Sequence, residues 1–185
     1  MEKFLKENIK ERNFADCYSK SSADLKLVEE QNPTSTFQIV NPDSIEISLL
    51  KVDGCLISRN GRVYYNRNNL SLKRKCDYVF SILNKISFIE LKPDSNKKEE
   101  WALDDYFNAV DQIIQTVQYF QFSCLNNGNK LDTYFPSINA FISMGTDVTQ
   151  IDESKRTAQY NTLEEKYITV SQNKKLPEVK TSITI

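Results

Sequence analysis

The chain has no histidine among its 185 residues, and that one absence excludes a broad range of chemistry. Serine- and cysteine-protease triads, histidine-ligated metal centres, histidine-based nucleases and zinc fingers of the Cys/His type all need an imidazole. Acid–base or metal chemistry is left to Asp, Glu, Lys, Tyr or water. Cysteine is sparse and scattered. Cys17, Cys55, Cys76 and Cys124 form no Cys-x-x-Cys pair, which argues against structural zinc and against a secreted disulfide framework. There is no run of about 18 apolar residues to cross a bilayer. Met1 leads into Glu2-Lys3-Phe4-Leu5-Lys6 instead of an apolar leader, so a cytoplasmic protein with no membrane partner is expected. Internal repeats and low-complexity tracts are also missing.

Apolar residues make up 39% of the chain and aromatics 11%, a globular composition in a length that suits one domain. The net charge of −1 carries no nucleic-acid signal for the chain as a whole. Its distribution does. Residues 51–98 hold eleven basic against four acidic side chains, whereas residues 99–135 hold one against six. A positive field confined to one segment suits a polyanionic partner.

Hydrophobic periodicity predicts a short amphipathic helix over residues 2–18, in which Phe4, Leu5 and Ile9 share a face and Glu11 borders it. Residues 19–35 read as loop or a weak helix around 23–30, and residues 36–40 and 44–51 as strands. Asn60-Gly61 predicts a hairpin between residues 56–57 and 63–65. Residues 66–75 read as an exposed basic loop and residues 76–83 and 86–92 as neighbouring strands. The clearest helix runs over residues 99–125 and is closed by Asn126-Asn127-Gly128-Asn129. A buried strand over 136–144 follows, then a short helix near 153–160 or 162–166, and weak strands at 167–170 and 181–185. The fold class is α/β. The expected division is a core over residues 1–145 and a C-terminal extension over 146–185 packed on the same domain.

The two strands at the centre hold a contradiction. Phe88-Ile89-Glu90-Leu91-Lys92 is apolar enough to be buried, yet a buried carboxylate costs several kcal/mol unless it is paired or binds a metal. Strand side chains alternate, so Glu90 and Lys92 share one face while Ile89 and Leu91 share the other. An exposed edge strand with a surface Glu–Lys pair would carry the same charges, but Phe88, Ile89 and Leu91 favour burial. With Asp77 on the preceding strand, two carboxylates and an ammonium form a minimal set for phosphodiester hydrolysis. The carboxylates and the Leu91 main-chain carbonyl are oxygen ligands for Mg²⁺ or Mn²⁺, and Lys92 is placed to act on the attacking water.

Asp77, thirteen intervening residues, Glu90-Leu91-Lys92 and then a helix resemble the PD-(D/E)xK nucleases, the restriction-endonuclease-like superfamily. The resemblance implies a core of helix, three-stranded meander, helix and strand, laid over residues 2–144 with a small C-terminal extension. It implies that Asp77 and Glu90 bind the metal and that Lys92 is catalytic. It further implies that Gln112 of Ala109-Val110-Asp111-Gln112 faces the site and that Glu11 is the candidate for the first-helix glutamate some branches add. Cys76 stands where many members have Pro, and Pro93 where many have Gly or Ser. Asp53, in Val52-Asp53-Gly54-Cys55, has two readings, a further ligand or a turn aspartate. Lys73-Arg74-Lys75 is read as a phosphate-backbone contact or a solvated loop.

The implied activity is metal-dependent cleavage of DNA in preference to RNA, in a homodimer or with a partner protein of a bacterial restriction or anti-phage defence system. An RNA-cleaving enzyme or toxin on the same site, and a binding module that keeps the fold without catalysis, are the alternatives.

Overall fold

Two separate hydrophobic clusters lie on opposite faces of one six-stranded sheet, and the alternation of side chains along its central strands creates both. The structure, a computed structural model, describes residues 1–9, 17–29, 35–52, 63–64, 71–72, 75–93, 99–144, 158–172 and 177–185. Helix α1 (Glu2–Asn8) is followed by strands β1 (Tyr18–Ser21), β2 (Leu25–Val28), β3 (Thr36–Val40) and β4 (Ile47–Lys51). Two short strands, β5 (Val63–Tyr64) and β6 (Ser71–Leu72), pair with each other. Strands β7 (Tyr78–Ile82) and β8 (Lys85–Leu91) lead into the long helix α2 (Glu99–Asn126) and a single turn of helix, α3 (Leu131–Tyr134). Strand β9 (Ser137–Ser143), helix α4 (Ala158–Ser171) and strands β10 (Glu178–Val179) and β11 (Ser182–Thr184) complete the chain.

The large sheet has the order β1-β4-β7-β8-β9-β10. Its first four strands form antiparallel pairs, whereas β9 and β10 run parallel to β8. The chain can make that switch because α2 carries it back to the start of the sheet between β8 and β9, as a parallel pairing requires. Ile86 and Phe88 of β8 join the cluster beneath α1, α2 and α4, while Ile89 and Leu91 join the one facing the second sheet. That second sheet has the order β11-β3-β2 and contributes Leu27, Phe37 and Ile39. The architecture is mixed α/β in three layers, helices over a sheet over a smaller sheet.

Aromatic contacts join the helical layer to the sheet. Phe4 of α1 stacks on Phe120 of α2 with centroids 5.1 Å apart, and Phe88 of β8 meets Phe120 edge-on at 5.5 Å. Gly128, at φ +73°, lets the chain fold back after α2 so that the Asn129 N–H reaches the Cys124 carbonyl at 2.9 Å. That positive φ is easiest for glycine.

Several local expectations need correction. Helix α1 ends at Asn8, with Ile9 extended, and Tyr18–Ser21 is a strand on the edge of the large sheet. The weak helix expected around 23–30 is instead strand β2, paired antiparallel with β3. Val63–Tyr64 pairs with Ser71–Leu72, inside the stretch expected to be loop, and residues 56–57 lie outside the described residues. The strand expected at 167–170 is the end of α4, because Leu163, Tyr167 and Val170 fall on one helical face against the core. Packing of that face overrides the strand preference of Ile168, Thr169 and Val170. Cys17 is disulfide-bonded, although the scattered cysteines argued against a secreted disulfide framework, while Cys76 and Cys124 are buried thiols outside any disulfide. No helix among the described residues is long and apolar enough to cross a membrane.

Burial has an acid–base consequence. It pushes the Cys124 thiol up from 9.0 to about 11, with Asp132 adding to the shift, and the Tyr167 phenol up from 10.0 to about 12. Both folded-state values lie above the unfolded ones, so the fold favours the protonated forms. Their stabilisation is complete below pH 9 and pH 10 respectively and is lost as the pH rises through about 11 and about 12. Denaturant unfolding should therefore show a midpoint that falls from pH 9 upward, and Tyr167→Phe should flatten the fall above pH 10. A variant with the wild-type pH dependence would show that the phenol contributes nothing to it.

Candidate active site

β8 runs through the interior of the large sheet, so both faces of its last residues are covered. Leu91 turns into the apolar layer under the second sheet, as Ile89 does. The alternation then commits Glu90 and Lys92 to the helical face, where Glu90 is only 2% exposed. The edge-strand reading is thereby excluded. A carboxylate at that depth needs a partner, and Lys92 provides it: its Nζ donates to Glu90 Oε1 at 2.7 Å, and the Lys92 side chain is itself 14% exposed.

The same ammonium donates to Gln112 Oε1 at 2.6 Å. Gln112 lies on the face of α2 turned to the end of β8, and its amide Nε2 donates to the Lys75 carbonyl at 3.0 Å. One turn further along α2, the buried Thr116 hydroxyl accepts from the Cys76 N–H at 2.9 Å and donates to the Gln112 carbonyl at 2.8 Å. The helix thereby grips the two residues that precede Asp77.

Asp77 sits at the bend where β7 begins. Tyr78 pairs with Ile89 across the β7–β8 ladder, and one step further Asp77 stands opposite Glu90. Its Oδ2 accepts from the Leu91 N–H at 2.7 Å, and its carbonyl accepts from the Val52 N–H at 2.9 Å. The Lys92 N–H donates to Ser143 at 2.8 Å, which extends the parallel pairing with β9 one residue past β8. The cluster therefore lies at the C-terminal ends of β8 and β9, the edge where open α/β sheets generally place their sites.

Comparison with protein-family models, with curated proteins and with solved structures gives no match.

Of the residues picked out by sequence, Asp77, Glu90, Lys92 and Gln112 converge. Leu91 joins them through its main chain, with its side chain in the opposite core. Lys75 contributes its carbonyl to Gln112, a part that belongs neither to a phosphate contact nor to a solvated loop. Lys73, Arg74, Asp53 and Glu11 lie outside the described residues. Thr116 was not singled out. The available signal was a hydroxyl one turn from Gln112 among the buried apolar residues Ile113, Ile114 and Val117.

Asp77 and Glu90 offer oxygen ligands from adjacent strands, a donor type suited to Mg²⁺ or Mn²⁺. No group of three or more His, Cys, Asp or Glu side chains among the described residues forms a metal cluster. Two carboxylates would need main-chain, water or substrate oxygens to complete a shell. Mg²⁺ commonly binds that way, keeping several waters.

Removing one partner of a buried ion pair leaves a desolvated charge, so Lys92→Met should lower the unfolding free energy by about 3–5 kcal/mol. Combined with Glu90→Gln, the loss should be well below the sum of the single changes. Urea unfolding of the four proteins measures this. Simple additivity would mean that Glu90 and Lys92 do not depend on each other.

Proposed function

We propose that this chain is a metal-dependent nuclease that hydrolyses phosphodiester bonds of DNA with Mg²⁺ or Mn²⁺. The observation that carries the reading is the placement of Lys92. Its ammonium is held between a buried carboxylate and a helix amide, and a second carboxylate, Asp77, is bound to the N–H of Leu91, the residue between Glu90 and Lys92. Support also comes from the order of elements. α1, the antiparallel run β4-β7-β8, α2 and the parallel strand β9 follow the helix, three-stranded meander, helix and strand of a restriction-endonuclease-like core.

In this reading Asp77, Glu90 and the Leu91 carbonyl hold the cation. When bound, it would neutralise charge on the scissile phosphate and acidify water. The Leu91 N–H orients the Asp77 carboxylate through Oδ2, and Lys92 orients Glu90 through Oε1. An ammonium has three N–H donors, of which Glu90 and Gln112 take two. The third can hold a water or a non-bridging phosphate oxygen, where the fixed positive charge stabilises the charge that develops in the transition state. Gln112 keeps that ammonium on the helical face of the strand end, which limits the positions the third donor can reach. Cutting both strands of a duplex needs two such sites, so a homodimer belongs to the proposal.

Cleavage of supercoiled plasmid, linear duplex, single-stranded DNA and RNA with Mg²⁺ or Mn²⁺ tests this. Wild type should cut DNA, while Glu90→Ala and Lys92→Ala, with folding verified by circular dichroism, should lose at least about 10²–10³-fold in rate. Preference for RNA would transfer the same site to an RNA-cleaving enzyme. A folded wild type that neither cuts nor binds metal would overturn the nuclease reading and leave a binding module.

A further inference from the structure

The ladder that aligns β7 with β8 starts at Tyr78, one residue after Asp77. On the other side the Asp77 carbonyl is tied to the Val52 N–H at 2.9 Å, which leaves the residues entering Asp77 to be held from elsewhere. The segment just before it is held from α2 at two points. Gln112 Nε2 takes the Lys75 carbonyl at 3.0 Å, and Thr116 Oγ1 takes the Cys76 N–H at 2.9 Å. The two anchors are one helical turn apart and grip consecutive residues.

They differ in what else they do. Gln112 also binds Lys92 and so touches the reacting groups directly. Thr116 touches none of the reacting groups itself and meets the site through main-chain atoms of Cys76 and of Gln112. Its hydroxyl is 0% exposed and gives its single proton to the Gln112 carbonyl of its own helix. The hydroxyl oxygen is consequently turned toward Cys76 as an acceptor, and the rotor has little freedom to turn away. The Cys76 N–H is buried too, and a buried N–H that loses its acceptor drives local rearrangement to find another. The residue that would move is joined directly to Asp77.

We propose that Thr116 is a positioning residue for the metal carboxylate Asp77, acting through its hydrogen bond to the Cys76 N–H. The inference rests on the nuclease reading and adds a supporting contact to it. Partners of this outer kind typically change metal affinity or activity by about 10–100-fold when removed.

The test is Mn²⁺ binding to the whole protein by isothermal titration calorimetry without substrate, together with kcat and KM for DNA cleavage. Thr116→Val replaces the hydroxyl with a methyl at nearly constant volume. It should weaken Mn²⁺ binding and lower kcat by about 10–100-fold, with KM little changed. Thr116→Ser, which keeps the hydroxyl, should restore both. Ser171→Ala removes another buried hydroxyl, which donates to the Tyr167 carbonyl in α4, and should leave Mn²⁺ affinity and kcat as in wild type.

Wild-type Mn²⁺ affinity and kcat in a folded Thr116→Val would overturn the proposal. So would a Thr116→Ser as impaired as Thr116→Val, or an equal loss in Ser171→Ala. If Thr116→Val does not fold, Thr116→Ala takes its place. If neither folds, the hydroxyl serves the whole fold instead of Asp77 and the proposal fails. A wild type that neither binds Mn²⁺ nor cuts would show that the nuclease reading itself had failed, and this inference with it.

Discussion

Glu90 is a carboxylate in the interior of a sheet, and its ion pair with Lys92 constrains the structure around it. An isolated charge there would be intolerable, because moving a carboxylate from water to a protein interior costs several kcal/mol even after relaxation. The partner two residues along the same strand is close in sequence and on the same face. This local pairing has a wider consequence. Lys92 must itself be held in a partly apolar setting, and Gln112 provides the second acceptor. That requirement ties the middle of α2 to the end of β8. It also places the α2 residues one turn on either side against the sheet, Ala109 in the core cluster and Thr116 on the Cys76 N–H.

The rest of the molecule supplies cover for that strand. Each face of β8 needs its own apolar layer, since Ile86 and Phe88 point one way and Ile89 and Leu91 the other. α1 and α2 close the first through the Phe4, Phe120 and Phe88 contacts. The second sheet closes the other. Residues 177–185 link the two layers. Glu178 and Val179 extend the large sheet beside β9, and a few residues later Ser182–Thr184 pairs with β3. The Lys180 N–H bonds to the Ile142 carbonyl and the Thr181 carbonyl accepts from the Gln38 N–H, so adjacent residues serve different sheets. The end of the chain thus helps to fix the distance between the two layers that bury Leu91.

Legibility in the sequence followed length and period. α2 shows sustained apolar spacing at the helical period, and β8 and β9 are predominantly apolar and β-branched or aromatic, so all three were readable. β1 was not. Tyr18-Ser19-Lys20-Ser21 carries no apolar alternation because it lies at a sheet edge, and only its pairing with β4 defines it. α4 was misread at its end because local preference and packing disagree over Ile168, Thr169 and Val170, and packing against the core through Tyr167 decides. The site was legible where the sequence breaks a rule, as with a Glu in a buried strand, which is where functional positions are expected to appear. Thr116 broke no rule. A threonine on the buried face of a helix is unremarkable until the chain entering β7 is seen against it.

A chain shaped only for stability would have little reason to keep Glu90 and Lys92. Replacing a buried ion pair with apolar side chains of similar size is often neutral or stabilising by about 1–4 kcal/mol. The surroundings would accept such side chains, for Phe88 precedes the pair on the same face and α2 packs apolar residues above it. The alternative that the pair fixes one fold among several has less to explain here, because strand order and register are already specified by two apolar faces. An ammonium that bonds two acceptors among the described residues, with two oriented carboxylates at the C-terminal ends of parallel strands, is accounted for more simply as chemistry than as architecture. The nuclease proposal draws its support from this imbalance.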